Sequence, residues 1–294
     1  MNTKLSALMK RNPLLSFCLL AFGISWLVWV PGVLVYLRLK PEGFPTWMLL
    51  LAMLGAYGPT FAALIVSAVM DGSQGVNNLL KKLTIWRVKW TWYLVALLSP
   101  AVLLLLSLAI FRLLGGYPGA FNATGLPMRI LLMVLFALPF GPLGEELGWR
   151  GFALPHLQRE NGAMVSSIIL GALWTFWHTP LFFVPGAALP SSATLDLVTI
   201  GIYLISTIGT AVLFTWVYNN TAGSVLLAIL FHMAFNASGN IFFSSFPAIT
   251  PAVVEQISQF AIILKWVLVI VVLQVFGERY LAHKKPVVES SGED

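Results

Sequence analysis

Residues 14–37 read LLSFCLLAFGISWLVWVPGVLVYL, an apolar run without a single charged side chain. An α-helix rises 1.5 Å per residue, so about 20 such residues cross the roughly 30 Å hydrocarbon core of a bilayer. A secretory signal has a shorter apolar region of about 7–15 residues and a small-x-small cleavage site, which this run lacks. We therefore expect residues 14–37 to form the first transmembrane helix, behind a short cytoplasmic segment, residues 1–13.

Similar apolar runs recur along the 294 residues, of which 59% are hydrophobic and only 10% charged. Soluble domains average about 25% charged residues. The predicted spans are residues 14–37, 47–70, 93–114, 128–152, 163–185, 195–218, 222–243 and 257–276. Because backbone polar groups in lipid need internal partners, and continuous apolar runs do not suit a barrel, the spans must be helices. The sequence predicts an all-α, polytopic membrane helical bundle of about eight transmembrane helices.

The bundle, residues 14–276, is expected to form one transmembrane domain, followed by a polar tail, residues 277–294. With a cytoplasmic N-terminus, twelve basic residues fall on the inner side: Lys4, Lys10, Arg11, Lys81, Lys82, Arg87, Lys89, Arg150, Arg159, Arg279, Lys284 and Lys285. Four fall on the outer side, Arg38, Lys40, Arg112 and Arg129, while Lys265 lies inside the last span. Since cytoplasmic loops are enriched in Lys and Arg, both termini are expected in the cytoplasm, and the tail is expected to be disordered there.

The net charge of +6 does not indicate nucleic-acid binding, because the basic residues are scattered over short loops rather than gathered in a basic domain. Topology explains them better. We expect an integral, multi-pass protein of a bacterial or archaeal plasma membrane, whose constant partner is the lipid bilayer and which has no nucleic-acid partner.

The segment 143–152, LGEELGWRGF, places two adjacent carboxylates and an arginine in otherwise apolar sequence. Charges at membrane depth are costly unless they are paired or functional, although charges at a helix end are ordinary. The residue before a proline is pushed out of helical geometry, so Leu154-Pro155 predicts the end of this helix. Glu145 would then lie about 12 Å from the cytoplasmic end, inside the membrane.

Glu146 and Arg150 are spaced i, i+4, so they can form an ion pair on one side of the helix. Glu145 lies about 100° away around the helix, and would be left without that partner. A buried, unpaired carboxylate suits a general base. The alternative is that both glutamates share Arg150 in a purely structural role.

His178 lies inside the fifth predicted span, in the sequence LWTFWHTP of residues 173–180. A lone histidine in an apolar helix is often a packing residue or an interhelical hydrogen-bond partner. Pro180 should free the carbonyl of Phe176 and kink the helix, which is a common way to open a polar cavity. His178 would be about 22 Å from its end of the helix.

His232 and Asn236 are also spaced i, i+4 and share one face of the seventh span. They could hold helices together, or point at one ligand or a developing oxyanion. His232 is expected about 15 Å deep, near the depth of Glu145. The greater depth of His178 requires a tilt, a later helix start or the kink to bring it level.

These residues suggest two chemistries. Glu145 with a histidine can deprotonate water, while His232 and Asn236 can donate hydrogen bonds to a tetrahedral oxyanion, which is hydrolysis of an acyl bond. Alternatively, Glu145, His178 and His232 could bind a zinc ion that activates the water. Cys18 is the only cysteine, so a thiolate zinc site is excluded.

Two other classes of function remain open. A proton-coupled transporter could use Glu145, His178 and His232 as a proton relay. A relay does not need the non-titrating Asn236, so that residue favours the hydrolase. A non-catalytic immunity or scaffold protein could also keep the same residues for packing alone.

The motifs resemble those of the CAAX prenyl protease and bacteriocin-processing family, also called CPBP or Abi. Glu145-Glu146-x-x-x-Arg150 matches its first motif, Trp174-x-x-x-His178 its second, with Trp in place of the more usual Phe, and His232-x-x-x-Asn236 its third. Each motif is weak alone, but three in order on three spans are fairly specific. The resemblance covers about residues 128–243.

The resemblance implies an intramembrane endopeptidase that cuts near the C-terminus of a membrane-associated protein or peptide, CAAX-type prenylated or similar. Glu145 and His178 would activate water, His232 and Asn236 would stabilise the oxyanion, and Glu146 and Arg150 would support them. Members are described both as zinc proteases and as metal-free, glutamate-dependent enzymes, so both remain open. Other members act in peptide maturation or self-immunity. We expect the site to open toward the cytoplasm.

Overall fold

The computed structural model describes residues 3–139, 141–190 and 193–285. Within these ranges all regular secondary structure is helical, which confirms the predicted all-α class. The helices are α1 (Thr3–Arg11), α2 (Pro13–Leu39), α3 (Thr46–Ala56), α4 (Gly58–Lys81), α5 (Trp90–Leu113), α6 (Leu126–Ala137), α7 (Pro142–Gly148), α8 (Leu154–Glu160), α9 (Ala163–Trp177), α10 (Leu197–Asn220), α11 (Val225–Ser244) and α12 (Pro251–Phe276). A π-helical turn, Trp149–Ala153, joins α7 to α8, and a 3₁₀ turn, Thr179–Phe183, follows α9.

Six helical segments of the described chain are long and apolar enough to cross a bilayer: Pro13–Leu39, Thr46–Thr84, Trp90–Leu113, Leu197–Asn220, Val225–Ser244 and Pro251–Phe276. A seventh forms if α6 and α7–α8, bent by 43°, are counted as one span. In the predicted span 163–185 the α-helix is α9, whose 15 residues cover about 22 Å, and the 3₁₀ turn follows it. The protein is an integral, multi-pass membrane protein with six or seven full-length spans in its described part, where eight were predicted.

The break between α6 and α7 has a local cause. Gly141 adopts φ 104° and ψ −71°, a conformation that residues with a side chain rarely adopt, and Pro142 begins α7. The chain therefore turns inside the bundle instead of running straight through it. The two glutamates consequently lie in the first turns of a new helix.

The predicted kink near Phe176 is a helix end. α9 stops at Trp177, His178 is its C-cap, and Pro180 lies in the following 3₁₀ turn. The carbonyl of Phe176 accepts a hydrogen bond from the Thr179 hydroxyl at 2.6 Å. His178 thus projects from a terminated helix rather than from mid-span.

The predicted helix end at Leu154-Pro155 is wrong. The chain continues through the π-helical turn into α8, where Pro155 lies in the first turn and its missing N–H is tolerated. Glu145 is therefore about 15 residues, or roughly 22 Å, from the end of this segment at Glu160. This equals the distance of His178 from the start of α9, whereas His232 is seven residues, or about 10 Å, from the start of α11. Distance along the helix therefore does not by itself place the three residues at one depth.

Two glycines bring α7 close to the junction of α3 and α4. A methyl group on Gly144 would lie 2.6 Å from the carbonyl oxygen of Ala56, and one on Gly148 would lie 2.5 Å from the backbone of Pro59. Both distances are shorter than van der Waals contact, so only glycine allows this packing. The close approach buries Glu145 and Glu146 among the helices.

The part of the tail that is described does not extend away from the bundle. Asn219 and Asn220 donate hydrogen bonds to the carbonyls of Tyr280 and Leu281 at 2.7 and 2.8 Å, and Leu281 is fully buried. The expected disorder is therefore wrong for residues 277–285, because the side chains at the end of α10 hold this backbone. Residues 286–294 lie outside the described ranges.

The helices have two distinguishable ends. At one, which we call the basic end, α2 begins, α12 ends, and Lys81, Lys82 and Arg159 are found. At the opposite end, which we call the far end, Arg129 donates hydrogen bonds to the carbonyls of Asn122 and Ser244. These names locate the site below.

Candidate active site

Glu146 is the centre of a buried ionic group. Arg150 Nη1 donates to its two carboxylate oxygens at 2.8 and 3.0 Å, and His232 Nδ1 lies 2.8 Å from Oε1. Glu146 and Arg150 are fully buried, and His232 is 6% exposed. The predicted i, i+4 pair is confirmed, and Glu146 also connects α7 to α11.

Arg150 is enclosed by aromatic rings. Its guanidinium carbon lies 4.7 Å from the ring centroid of Trp174 and 4.1 Å from that of Phe214. Cation–π attraction compensates part of the cost of burying this charge. Its ion pair within the described chain is with Glu146, so Arg150 supports that carboxylate and leaves Glu145 without a cation.

Glu145 is 4% exposed and has a different environment. Its Oε2 accepts a hydrogen bond from Trp174 Nε1 at 2.6 Å, which joins α7 to α9. A methyl group built on Gly141 would lie 2.8 Å from Glu145 Oε1 and 3.6 Å from His232 Nε2. The second carboxylate oxygen and the second imidazole nitrogen therefore approach the same space beside Gly141.

His178 is oriented by the backbone of its own helix. Its Nδ1 lies 2.8 Å from the carbonyl oxygen of Trp174. A carbonyl only accepts, so Nδ1 carries the proton and Nε2 of the neutral ring is an acceptor. Trp177, the preceding residue, is fixed in turn, because its Nε1 donates to Ser25 Oγ at 2.8 Å and its ring packs 4.5 Å from Trp29.

Trp174 connects the two candidate water-activating residues. Its indole binds Glu145 and its carbonyl binds His178, while within the described chain no direct hydrogen bond joins Glu145 to His178. The tryptophan that replaces the usual Phe of the second motif therefore supplies a hydrogen-bond donor that Phe lacks.

All four predicted catalytic residues line one cavity of about 670 Å³, namely Glu145, His178, His232 and Asn236. His232 Nδ1 is held by Glu146, so Nε2 is the nitrogen left for the cavity. Asn236 is one turn further along α11. Residues from three predicted spans thus meet as expected, and their catalytic roles remain predictions.

The cavity is also lined by two polar side chains that the sequence analysis did not identify. Tyr203 of α10 packs edge-on against the His178 ring at 6.0 Å, and Asn240 donates to the backbone carbonyl of Asn236 at 2.8 Å. Asn240 could have been found, because it continues the i, i+4 row of His232 and Asn236. Nothing in the sequence marks Tyr203.

The predicted zinc ligands, Glu145, His178 and His232, line one cavity. In the described ranges no three His, Cys, Asp or Glu side chains are grouped so that they could hold a metal ion. One oxygen of Glu145 and one nitrogen of His232 are engaged by Trp174 and Glu146, and a carboxylate on the second nitrogen of a histidine is also usual for a zinc ligand. Zinc therefore stays a prediction beside the metal-free mechanism, and the steps proposed below use protein groups alone.

The cavity lies toward the far end of the bundle. Its walls include Phe44 in the α2–α3 loop, residues 186–188 after the 3₁₀ turn, and Asn240 in the second half of α11. α2 begins and α12 ends at the opposite end. We expected the site to open toward the cytoplasm, on the same side as the termini, and this is wrong with respect to the termini. The number of residues between a side chain and its helix end does not show which half of each helix lines the cavity.

Fold and site define a polytopic membrane protein with a carboxylate, two histidines and an asparagine around one internal cavity. Residues 127–238, which include all seven motif residues, match the family model described as type II CAAX prenyl endopeptidase Rce1-like. The chain is also similar to CAAX prenyl protease 2 of Methanococcus maripaludis, with 30% identity over 249 residues that cover 77% of this chain and 83% of that protein. The chain belongs to this family of membrane endopeptidases, which confirms the resemblance found in its motifs.

Proposed function

We propose that the protein is an intramembrane endopeptidase that hydrolyses a peptide bond near the C-terminus of a membrane-associated protein or peptide, of the CAAX-prenylated kind or similar. The observation that carries this proposal is Glu145, a buried carboxylate without a cationic partner, in one cavity with His178, His232 and Asn236. The relative from Methanococcus maripaludis is named for the same activity.

In the proposed mechanism, a water molecule binds between Glu145 Oε1 and His178 Nε2, which are both acceptors. Glu145 takes a proton as the water oxygen adds to the peptide carbon. His232 donates its Nδ1 hydrogen bond to the Glu146 carboxylate, so its Nε2 donates to the new oxyanion only in the imidazolium form. That cation, held by Glu146, and the amide of Asn236 stabilise the oxyanion. The C–N bond then breaks, and the proton on Glu145 passes to the leaving amine.

The walls of the cavity support a lipid-modified substrate. They are largely apolar, with contributions from α3, α6 and the loop that precedes α3: Phe44, Leu49, Met53, Met133 and Phe136. A prenyl chain would bury apolar surface there, at about 25 cal/mol per Å². The polar residues at the inner wall would then face the peptide bond.

A proton relay is less well supported. Trp174 binds both Glu145 and His178, and an indole N–H can donate but cannot accept a proton. A relay through that residue would therefore be interrupted. We retain hydrolysis as the function.

Cleavage tests this proposal directly. Purified protein is incubated with a fluorogenic C-terminal peptide, either prenylated or not, with and without a metal chelator. We expect cleavage of the prenylated peptide, a rate that survives chelation, and a loss of about 10²–10³-fold in Asn236→Ala, the size typical for one oxyanion donor. No cleavage of either peptide contradicts the proposed substrate, and activity lost to the chelator and restored by zinc contradicts the metal-free mechanism.

The orientation in the membrane is a separate proposal. On the distribution of Lys and Arg, the basic end and both termini lie in the cytoplasm. The cavity then opens in the outer half of the bilayer, and the substrate bond has to reach that half.

Cysteine labelling in intact cells measures this orientation. In a Cys18→Ser background, we expect an impermeant maleimide to label Glu42→Cys at the far end but not Lys89→Cys at the basic end. Both are exposed loop positions. The opposite pattern would place the cavity in the cytoplasmic half.

A further inference from the structure

A second cavity, of about 250 Å³, lies at the basic end and shares no lining residue with the candidate active site. α4, the π-helical turn, α8 and the turn between α10 and α11 form its walls. These segments end or bend here, at the level where a bilayer meets water. We call it the basic pocket.

The charge of the basic pocket favours an anion. Among the described residues that line it, Lys81, Lys82 and Arg159 are cationic and Asp71 is acidic. Lys82 Nζ donates to the carbonyl of Gly151 at 2.9 Å, which holds this cation against the floor of the pocket. Clustered lysine and arginine at a membrane boundary suit phosphate groups.

His156 is fixed in the wall of the basic pocket. Its Nδ1 lies 2.7 Å from the carbonyl of Phe152, so that nitrogen donates. Its ring stacks on that of Phe152 at 4.2 Å. Nε2 has less than 1 Å² of accessible surface and no hydrogen-bond partner in the described part of the chain, so it lies behind the surface of the pocket.

Unusual backbone surrounds the basic pocket on two sides. α4 breaks at Asp71 and Gly72, and Gly72 adopts φ 61° and ψ −144°. In the opposite wall Ala222, a residue with a side chain, has φ 53° beside Gly223 at φ 74°. A positive φ is ordinary for glycine but strained for Ala222, and such strain concentrates at ligand-binding sites and switches.

We propose that the basic pocket binds the phosphate of an anionic phospholipid headgroup. Lys81, Lys82 and Arg159 neutralise the phosphate. The floor of the pocket, Gly151 and Phe152, directly follows Arg150 in the chain. A bound lipid therefore contacts the segment that carries the Glu146–Arg150 pair.

The test uses delipidated full-length protein in a non-ionic detergent. Three probes are added separately: dioleoyl phosphatidylglycerol, dioleoyl phosphatidylcholine and inorganic phosphate. Native mass spectrometry counts bound lipid, and thermal melting measures stabilisation. We expect phosphatidylglycerol to bind and raise Tm, while phosphatidylcholine, with the same acyl chains and no net charge, does neither.

Two variants locate the binding. Lys81→Gln/Arg159→Gln should weaken phosphatidylglycerol binding at least about tenfold, since each cation near a membrane surface contributes to anion affinity. Both side chains are exposed, so the fold should survive. Lys89→Gln, exposed at the same end but outside the basic pocket, is the matched control and should bind as wild type.

Each outcome decides the proposal. Equal binding of the two lipids, or undiminished phosphatidylglycerol binding by the double variant, overturns it. Stabilisation by inorganic phosphate that matches that of phosphatidylglycerol, and is lost in the double variant, keeps the anion site but assigns it to free phosphate. Because no readout requires cleavage, the result is independent of the proposed protease function.

Discussion

Glu145→Gln is expected to lower the rate of cleavage by about 10²–10⁴-fold, the range that a positioned general base contributes. The amide cannot take a proton from water. Its oxygen can still accept the hydrogen bond of Trp174 Nε1, and no cation is stranded, because Arg150 pairs with Glu146. We therefore expect the variant to fold and melt like the wild type.

Glu160→Gln is the matched control for this experiment. It makes the same change at an exposed position, the end of α8. Rate and Tm should remain those of the wild type. If Glu145→Gln kept a rate within tenfold of the wild type, Glu145 would not be the base, and a large fall in Tm would instead indicate the packing role of a non-catalytic protein.

Arg150→Ala is expected to destabilise the protein by about 3–5 kcal/mol, the cost of breaking a buried ion pair from one side. The substitution removes the cation from Glu146 and empties the space between the rings of Trp174 and Phe214. Glu146 would keep only its contact with His232. Activity should fall as well, since His232 is held by that carboxylate.

Thermal melting of purified variants in one detergent measures this effect. A loss of 3–5 kcal/mol corresponds to a fall in Tm of roughly 10 °C. Arg87→Ala, at an exposed loop position, controls for the loss of one arginine. Adding Glu146→Gln to Arg150→Ala should recover part of the loss, because the stranded charge disappears. Equal changes in Tm for Glu145→Gln and Arg150→Ala would contradict the division of roles between the two glutamates.

The parts of the fold that depend on composition were predictable. Apolar runs long enough for a bilayer gave the all-α class, and i, i+4 spacing gave the Glu146–Arg150 pair. Both follow from helix geometry alone. The proximity of Glu145 and His232 also followed, because these two residues were expected at comparable depth, whereas His178 was expected deeper.

The helix breaks were less accessible, because Gly and Pro inside an apolar run do not say whether a helix ends, bends or continues. Pro155 usually marks a helix end, but the π-helical turn before it lets the helix continue to Glu160. Gly141 and Pro142 lie inside an apolar run and turn the chain there. The direction in which the cavity opens depends on these breaks, so it could not be predicted from the sequence.

The hydrogen bonds of Trp174 could not be read from the sequence either. The spacing shows that Trp174 lies one helical turn before His178. It does not show that the indole points toward Glu145, which is on another helix. That contact depends on how α7 and α9 pack together, which spacing within one helix does not give. The motif identified the residue, and only the packing showed what it binds.

The shortness of α9 has a consequence for the surrounding lipid. Its 15 residues are shorter than the hydrocarbon core, and Val165, Ile168 and Phe176 on this helix are 48%, 41% and 61% exposed. Lipid beside a helix that is too short thins to match it. The aqueous boundary is thereby drawn inward toward His178 at the end of α9. The water that a hydrolase consumes would then cross less hydrocarbon on its way to the carboxylate.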